Sequence, residues 1–256
     1  MYWIQKTINF YINASIHVAV AICSLLKITN LVYQVPVSCA YYLVVFFGSI
    51  FSYNVLKYHT LFYNTKKKKT VLAVTFLAFI FCMYFYMKLT FFEQLSLFLC
   101  AMLVVVYPFL RKIGWLKLFL VSFVVSFVTF EIPIFALTKF NFVGFTQRFL
   151  VLFGLLVPFE IVDSITDSEK MQTLPQRFGI KATKLAGYLA IGISFFLAIY
   201  CGKNDNKWSF YALNLLVSIT SMLLLFFTSI ERSKYYTLFW VESVPIFWCI
   251  LLLFFT

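Results

Sequence analysis

Glu160, Asp163 and Asp167 stand at i, i+3 and i+7 at the end of an otherwise apolar run. On a helix these positions share one face. Acids clustered where a helix leaves a lipid phase are expensive, and they point to an ion site before they point to packing. Asp163 and Asp167 by themselves form D-x-x-x-D, two carboxylates about 6 Å apart along a helix axis. Mg2+ is a hard ion that keeps several waters and takes one or two protein carboxylates plus substrate phosphate oxygens, so this pair suits a Mg2+–diphosphate site. The motif alone leaves a second reading equally open, in which the acids cap the span and balance Lys170 and Arg177.

The elements that must position these acids are membrane spans. The chain is 63% hydrophobic, 12% charged and has a mean hydropathy of +0.93. A soluble domain is roughly half apolar and a quarter charged. The expected fold class is therefore all-α, an integral membrane bundle of about nine transmembrane helices in a single multi-pass domain over 1–256. Apolar stretches run at 11–33, 37–62, 70–88, 91–110, 115–135, 144–164, 184–202, 209–229 and 236–255, each near the length of about 20 residues that crosses a bilayer. The first is too long for a cleavable signal and has no small-residue cleavage site after it.

Net charge is +12. In a membrane protein such an excess anchors loops rather than nucleic acid, and no nucleic-acid partner is expected. With the N-terminus inside, the inner segments hold 14 Lys and Arg, the lysine run Lys66–Lys69 among them, against 4 in the outer loops. That asymmetry predicts a cytoplasmic N-terminus in the cell membrane, with Asp163, Asp167, Arg111 and Lys112 all on the cytoplasmic side. The six cysteines sit singly in apolar runs without C-x-x-C, and read as small buried hydrophobes.

Two loops carry a resemblance. Asp163-x-x-x-Asp167 is followed by Thr173-Leu174-Pro175-Gln-Arg-Phe-Gly179, and the fourth apolar stretch ends Tyr107-Pro108-Phe-Leu-Arg111-Lys112. The combination resembles the UbiA-type intramembrane prenyltransferases, in which D-x-x-x-D with T-L-P-x-x-x-G ends the sixth of nine helices and Y-P-x-x-K-R follows the fourth. The resemblance implies a prenyltransferase that joins an isoprenoid diphosphate to a hydrophobic, often aromatic, acceptor drawn from the lipid bilayer. It further implies Mg2+ on Asp163 and Asp167 with Glu160 assisting. Arg111, Lys112 and Arg177 would hold the diphosphate.

The family's first motif, N-x-x-x-D-x-x-x-D, should fall on Asn54, Tyr58 and Phe62, so its asparagine is kept and both acids are absent. Two consequences compete. In one, Lys57 supplies a fixed positive charge and Asn54, with Tyr58 or His59, hydrogen-bonds the diphosphate, leaving one Mg2+ on Asp163 and Asp167. In the other, activation is lost and a UbiA-like protein binds an isoprenoid lipid or a protein partner. Glu131, Arg148 and Glu242 are charges inside spans, which face a cavity or one another by default, and Arg148 with Glu131 is an expected structural pair.

Overall fold

The computed structural model of the chain describes residues 2–58, 68–110, 114–135, 140–166, 171–201 and 208–255. Among these residues the regular structure is entirely helical. A short α1 (Tyr2–Asn13) precedes α2 (Ile16–Tyr33), α3 (Cys39–Tyr58), α4 (Lys68–Tyr86) and α5 (Phe91–Leu110). Next comes α6 (Gly114–Ser126), which continues through a π-helical turn, Phe127–Glu131, into α7 (Ile132–Phe135). The chain then forms α8 (Phe142–Asp163), α9 (Leu174–Cys201) and α10 (Trp208–Phe226), and a π-helical turn, Tyr236–Val241, leads into α11 (Val244–Phe255). Among the described residues eight helices or continuous helix pairs are long and apolar enough to cross a membrane, and Phe210–Phe226 is a shorter apolar helix. This is a multi-pass membrane bundle.

Burial separates an inner from an outer set. The apolar windows of α2 and α8 are each 56% buried, and that of α6–α7 is 50% buried. Those of α4 and α5 are only 11% buried, so α4 and α5 present most of their side chains to lipid. Inside, α8 packs between α6 and α9, while α2 packs on α3 and α11. Buried Leu25, Ile28, Val151, Leu152, Leu155, Val241, Val244 and Trp248 form the main apolar cluster. Lipid is as apolar as these side chains, so close packing and satisfied polar groups hold such a bundle together. Thr75, Ser122, Thr129 and Ser221 accordingly return their hydroxyl protons to the carbonyl four residues earlier.

The first expected span, 11–33, is not one helix. It breaks at Ser15, which adopts φ 58 and ψ 22. A left-handed conformation in a non-glycine residue costs about 1–2 kcal/mol, and here neighbouring polar groups stabilise it. The Ser15 hydroxyl donates to Asn54 Oδ1 at 2.8 Å, and Asn54 Nδ2 donates to the Ala14 carbonyl at 3.2 Å. The second expected span, 37–62, is helical from Cys39 to Tyr58, and its last residues lie outside the described ones.

Candidate functional site

At the end of the bundle where α3 and α8 finish and α6 begins, a cavity of about 170 Å³ opens between the helices. Its polar lining is Ser15 (start of α2), Tyr53 and Lys57 (α3), Tyr107 (α5), Lys117 (α6), Glu160 and Asp163 (α8) and Glu242 (before α11). Ile12, Val18, Leu118, Val121, Leu156, Phe159 and Leu238 complete it. A second, smaller cavity of about 60 Å³ shares Val18, Tyr53, Val121, Leu156, Phe159 and Glu242 with the first and continues along Ala21, Ile22, Leu25, Val125, Leu152 and Leu155. The pair adjoin as one passage, charged at its mouth and mostly apolar beyond the shared Tyr53 and Glu242.

The α8 wall carries the acids. Glu160 is 2% exposed, and Lys117 Nζ lies 2.9 Å from its Oε1. A carboxylate this deeply buried needs a paired cation to remain charged, and α6 delivers it. Asp163, one helical turn further on, is about a third exposed. Its oxygens lie 4.0 Å from Lys117 Nζ and 3.8 Å from Lys234 Nζ, ion pairs too long to be hydrogen bonds. Pro158 within α8 removes one backbone donor just before these acids.

The Thr-Leu-Pro segment explains how this wall is held. Thr173 begins α9, and the Gln176 side chain accepts the Thr173 N–H at 3.0 Å, one half of a capping box. Gln176 also donates to the Ser164 carbonyl at 3.4 Å, tying the start of α9 to the end of α8. The short first turn of α9 stops at Gly179, whose φ of 79 and ψ of 161 suit glycine almost exclusively. Gly114 opens α6 against the same segment. A Cβ there would overlap the Met171 carbonyl oxygen and stand 2.6 Å from the Thr173 nitrogen. Close approach at Gly114 thus sets the position of Lys117, one turn later.

The α3 wall is built differently. Asn54 is 1% exposed. Beyond its bonds to Ser15 and Ala14, its Nδ2 donates to Thr75 Oγ1 of α4 at 3.0 Å. Tyr58 donates its hydroxyl to the Asn13 carbonyl at 2.9 Å. The two residues at the asparagine and first-acid positions of the expected motif therefore clamp the α1–α2 break. Asn54, expected to bind diphosphate, has its amide engaged in that clamp, and it is not among the residues lining the cavity. Lys57 does line it, with Nζ 5.5 Å from the Tyr58 ring centroid, and it feels the charge of Glu242.

Other expectations divide similarly. Arg177 is exposed, with its guanidinium carbon 5.3 Å from the Phe178 ring centroid, and it does not line the cavity. Arg148 and Glu131 do not pair. The Arg148 guanidinium donates to the Leu25 carbonyl at 2.8 Å and to Thr29 Oγ1 at 3.2 Å, between the rings of Phe130 and Trp248. Glu131 instead accepts the Asn141 N–H at 3.2 Å. Asp167, Arg111, Lys112 and His59 lie outside the described residues. Lys117 was expected only as a topology anchor, and Glu242 only as an intramembrane charge. The signal for Lys117 was a lone cation inside the apolar run of α6, three residues after a glycine.

Magnesium can be tested against this geometry. Among the described residues no three of His, Cys, Asp and Glu stand close enough together to hold a metal ion. Glu160 is the less available carboxylate, because it is buried and the Lys117 ammonium sits 2.9 Å from its Oε1. Asp163 does fit: it is partly exposed and its neighbouring cations stand off. An ion held by Asp163, with waters and phosphate oxygens completing its shell, matches the habit of Mg2+.

No sequence-family profile matches the chain, and no curated protein sequence matches it. Solved structures do. The apo structure of a UbiA homolog from Aeropyrum pernix K1 superposes with a TM-score of 0.70 at 12% identity, covering 93% of this chain and 98% of that one. A UbiA homolog from Archaeoglobus fulgidus, bound to GPP and Mg2+, superposes with a TM-score of 0.65 at 12% identity, covering 94% and 98%. The chain thus has the fold of the UbiA homologs over nearly its whole length.

Proposed function

We propose that the chain is a membrane prenyltransferase that takes an isoprenoid diphosphate and alkylates a lipid-soluble, aromatic acceptor, releasing diphosphate. The observation that carries this reading is the passage itself. Carboxylates and ammonium groups gather at its mouth, and a mostly apolar lining from Val18 to Leu25, with Tyr53 and Glu242 at the junction, continues inward. An amphiphile with a small, highly charged head and a hydrocarbon tail matches both halves. Sidedness follows the Lys and Arg asymmetry, so the mouth opens to the cytoplasm.

In this reading the head rests between Lys57, Lys117 and Asp163, and Arg111, Lys112 and Asp167 are proposed to contact it as well. Mg2+, held by Asp163 and Asp167 when bound, would neutralise oxygens of the departing diphosphate. Lys57 and Lys117 stabilise the same developing negative charge from fixed positions, the type of interaction that contributes most to such reactions. The C1–O bond of the isoprenoid breaks, a bond from C1 to the acceptor forms, and the acceptor releases a proton. Tyr53, Tyr107 and Phe159 line the cavity and offer ring faces to the allylic cation.

A second reading, a non-catalytic binder of isoprenoid lipid, is favoured by the α3 wall, where a hydrogen-bonded clamp stands in place of carboxylates. Purified protein in lipid nanodiscs separates the two. Isoprenoid diphosphates of several chain lengths are supplied with a panel of aromatic acceptors, and pyrophosphate release is followed. Release that needs Asp163 and Asp167 supports the transferase. Tight binding without release supports the binder, and absence of binding removes both.

A further inference from the structure

We infer that the diphosphate head is anchored by two lysine ammonium groups, Lys117 of α6 and Lys57 of α3, so that its binding does not require a divalent ion. The inference rests on the proposed diphosphate site and concerns how that site holds its ligand. Both lysines line the one cavity, from different helices. Each has an acid near it. Glu160 holds Lys117 Nζ at 2.9 Å, and Glu242 lines the same cavity as Lys57. A paired carboxylate such as Glu160 keeps an ammonium charged in a mostly apolar bundle while no ligand is present.

Two further features favour fixed cations over a metal cluster. The Lys117 side chain is 14% exposed, and its one short ion pair is to a carboxylate that is 2% exposed. A metal on Glu160 would share that carboxylate with an ammonium 2.9 Å from its Oε1, a close approach of like charges. On the α3 wall, Asn54 and Tyr58 hold the Asn13–Ser15 backbone, and Lys57 is the charged group left facing the cavity. Asp163 is then left for an ion that acts when the C1–O bond breaks.

The competing explanation is that Lys117 serves only to neutralise Glu160. Binding measurements on the full chain in nanodiscs decide between them, with geranyl diphosphate as the probe, in EDTA and in excess Mg2+. The expected Kd in EDTA lies within about threefold of that in Mg2+, whereas Lys117→Met and Lys57→Met each raise Kd roughly tenfold or more in both buffers. The double variant Lys117→Met/Glu160→Leu removes the pair together and leaves no uncompensated buried charge. It should fold, by thermal melting, and still bind weakly. Wild-type affinity in the double variant would overturn the inference, since Lys117 would then be a counter-ion only. Binding of geranyl diphosphate that is lost in EDTA and restored by Mg2+ would also overturn it, and would leave the proposed transferase standing. Failure to bind in either buffer would remove the diphosphate site altogether.

Discussion

The two walls of the cavity meet the same need by different chemistry. On α8, Glu160 and Asp163 present carboxylates at successive turns, and α6 sends Lys117 to meet them. On α3, the corresponding turns carry Asn54 and Tyr58, which bind backbone of the α1–α2 break. The α8 wall therefore keeps groups able to act on a ligand. The α3 wall has spent its polar groups on architecture and offers the ligand Lys57. A helix–helix clamp and a metal site demand opposite things of a side chain: the clamp consumes its lone pairs and protons, and the metal site must leave them available. One position cannot supply both.

Removing one member of the buried pair on the α8 side should have the largest effect. Lys117→Met leaves Glu160 charged and nearly inaccessible, and is expected to cost about 3–5 kcal/mol of stability, with most of the loss recovered in the Lys117→Met/Glu160→Leu double variant. Thermal melting in detergent reads both. Next comes Asp163→Asn, which keeps shape and burial but removes charge. It should lower the rate of pyrophosphate release about 10²–10³-fold with little change in melting temperature. An unchanged rate would mean that the α8 wall is as structural as the α3 wall.

The α3 wall should answer in stability instead of rate. Asn54→Ala leaves Thr75, Ser15 and the Ala14 carbonyl without a shared partner, and is expected to destabilise by about 1–3 kcal/mol. Its Kd for geranyl diphosphate should stay within about threefold of wild type. A large rise in Kd at undiminished stability would return Asn54 to the ligand. Gly179→Ala should cost about 1 kcal/mol through backbone strain alone, because a Cβ at that position meets nothing within 4 Å. The smallest effect is expected from Tyr58→Phe, which loses one hydrogen bond to Asn13 worth about 0.5–1.5 kcal/mol.

Much of this arrangement was legible in the residues. Apolar stretches near 20 residues announced the bundle, and the Asp163 motif with Thr173-Leu-Pro lies at the helix end that lines the cavity. Tyr107, the first residue of the Tyr-Pro element, does line the cavity. What escaped was the partner of each polar side chain. An amide inside a span, such as Asn54, reads equally as a ligand or as a brace, because interhelical geometry decides which it becomes. Lys117 resembled the many cations that mark a membrane face, and only its 2.9 Å approach to Glu160 distinguishes it. Arg148 and Glu131 lie on neighbouring helices, yet carbonyl and hydroxyl acceptors on α2 take the Nη1 and Nη2 protons of the guanidinium instead. Helix rotation about its own axis, which separates those outcomes, leaves little trace in a sequence that is apolar on most faces.

The most direct measurement is a cryo-electron microscopy structure of the full chain in nanodiscs with geranyl diphosphate and Mg2+. The expected density puts the diphosphate among Lys57, Lys117 and Asp163, with the hydrocarbon passing Val18 and Leu156 toward Leu25. Asn54 should keep its bonds to Ser15 and Thr75. A head lodged away from both lysines and Asp163, or a tail lying on the lipid-facing surface of α4 and α5, would contradict the assignment of this cavity as the site.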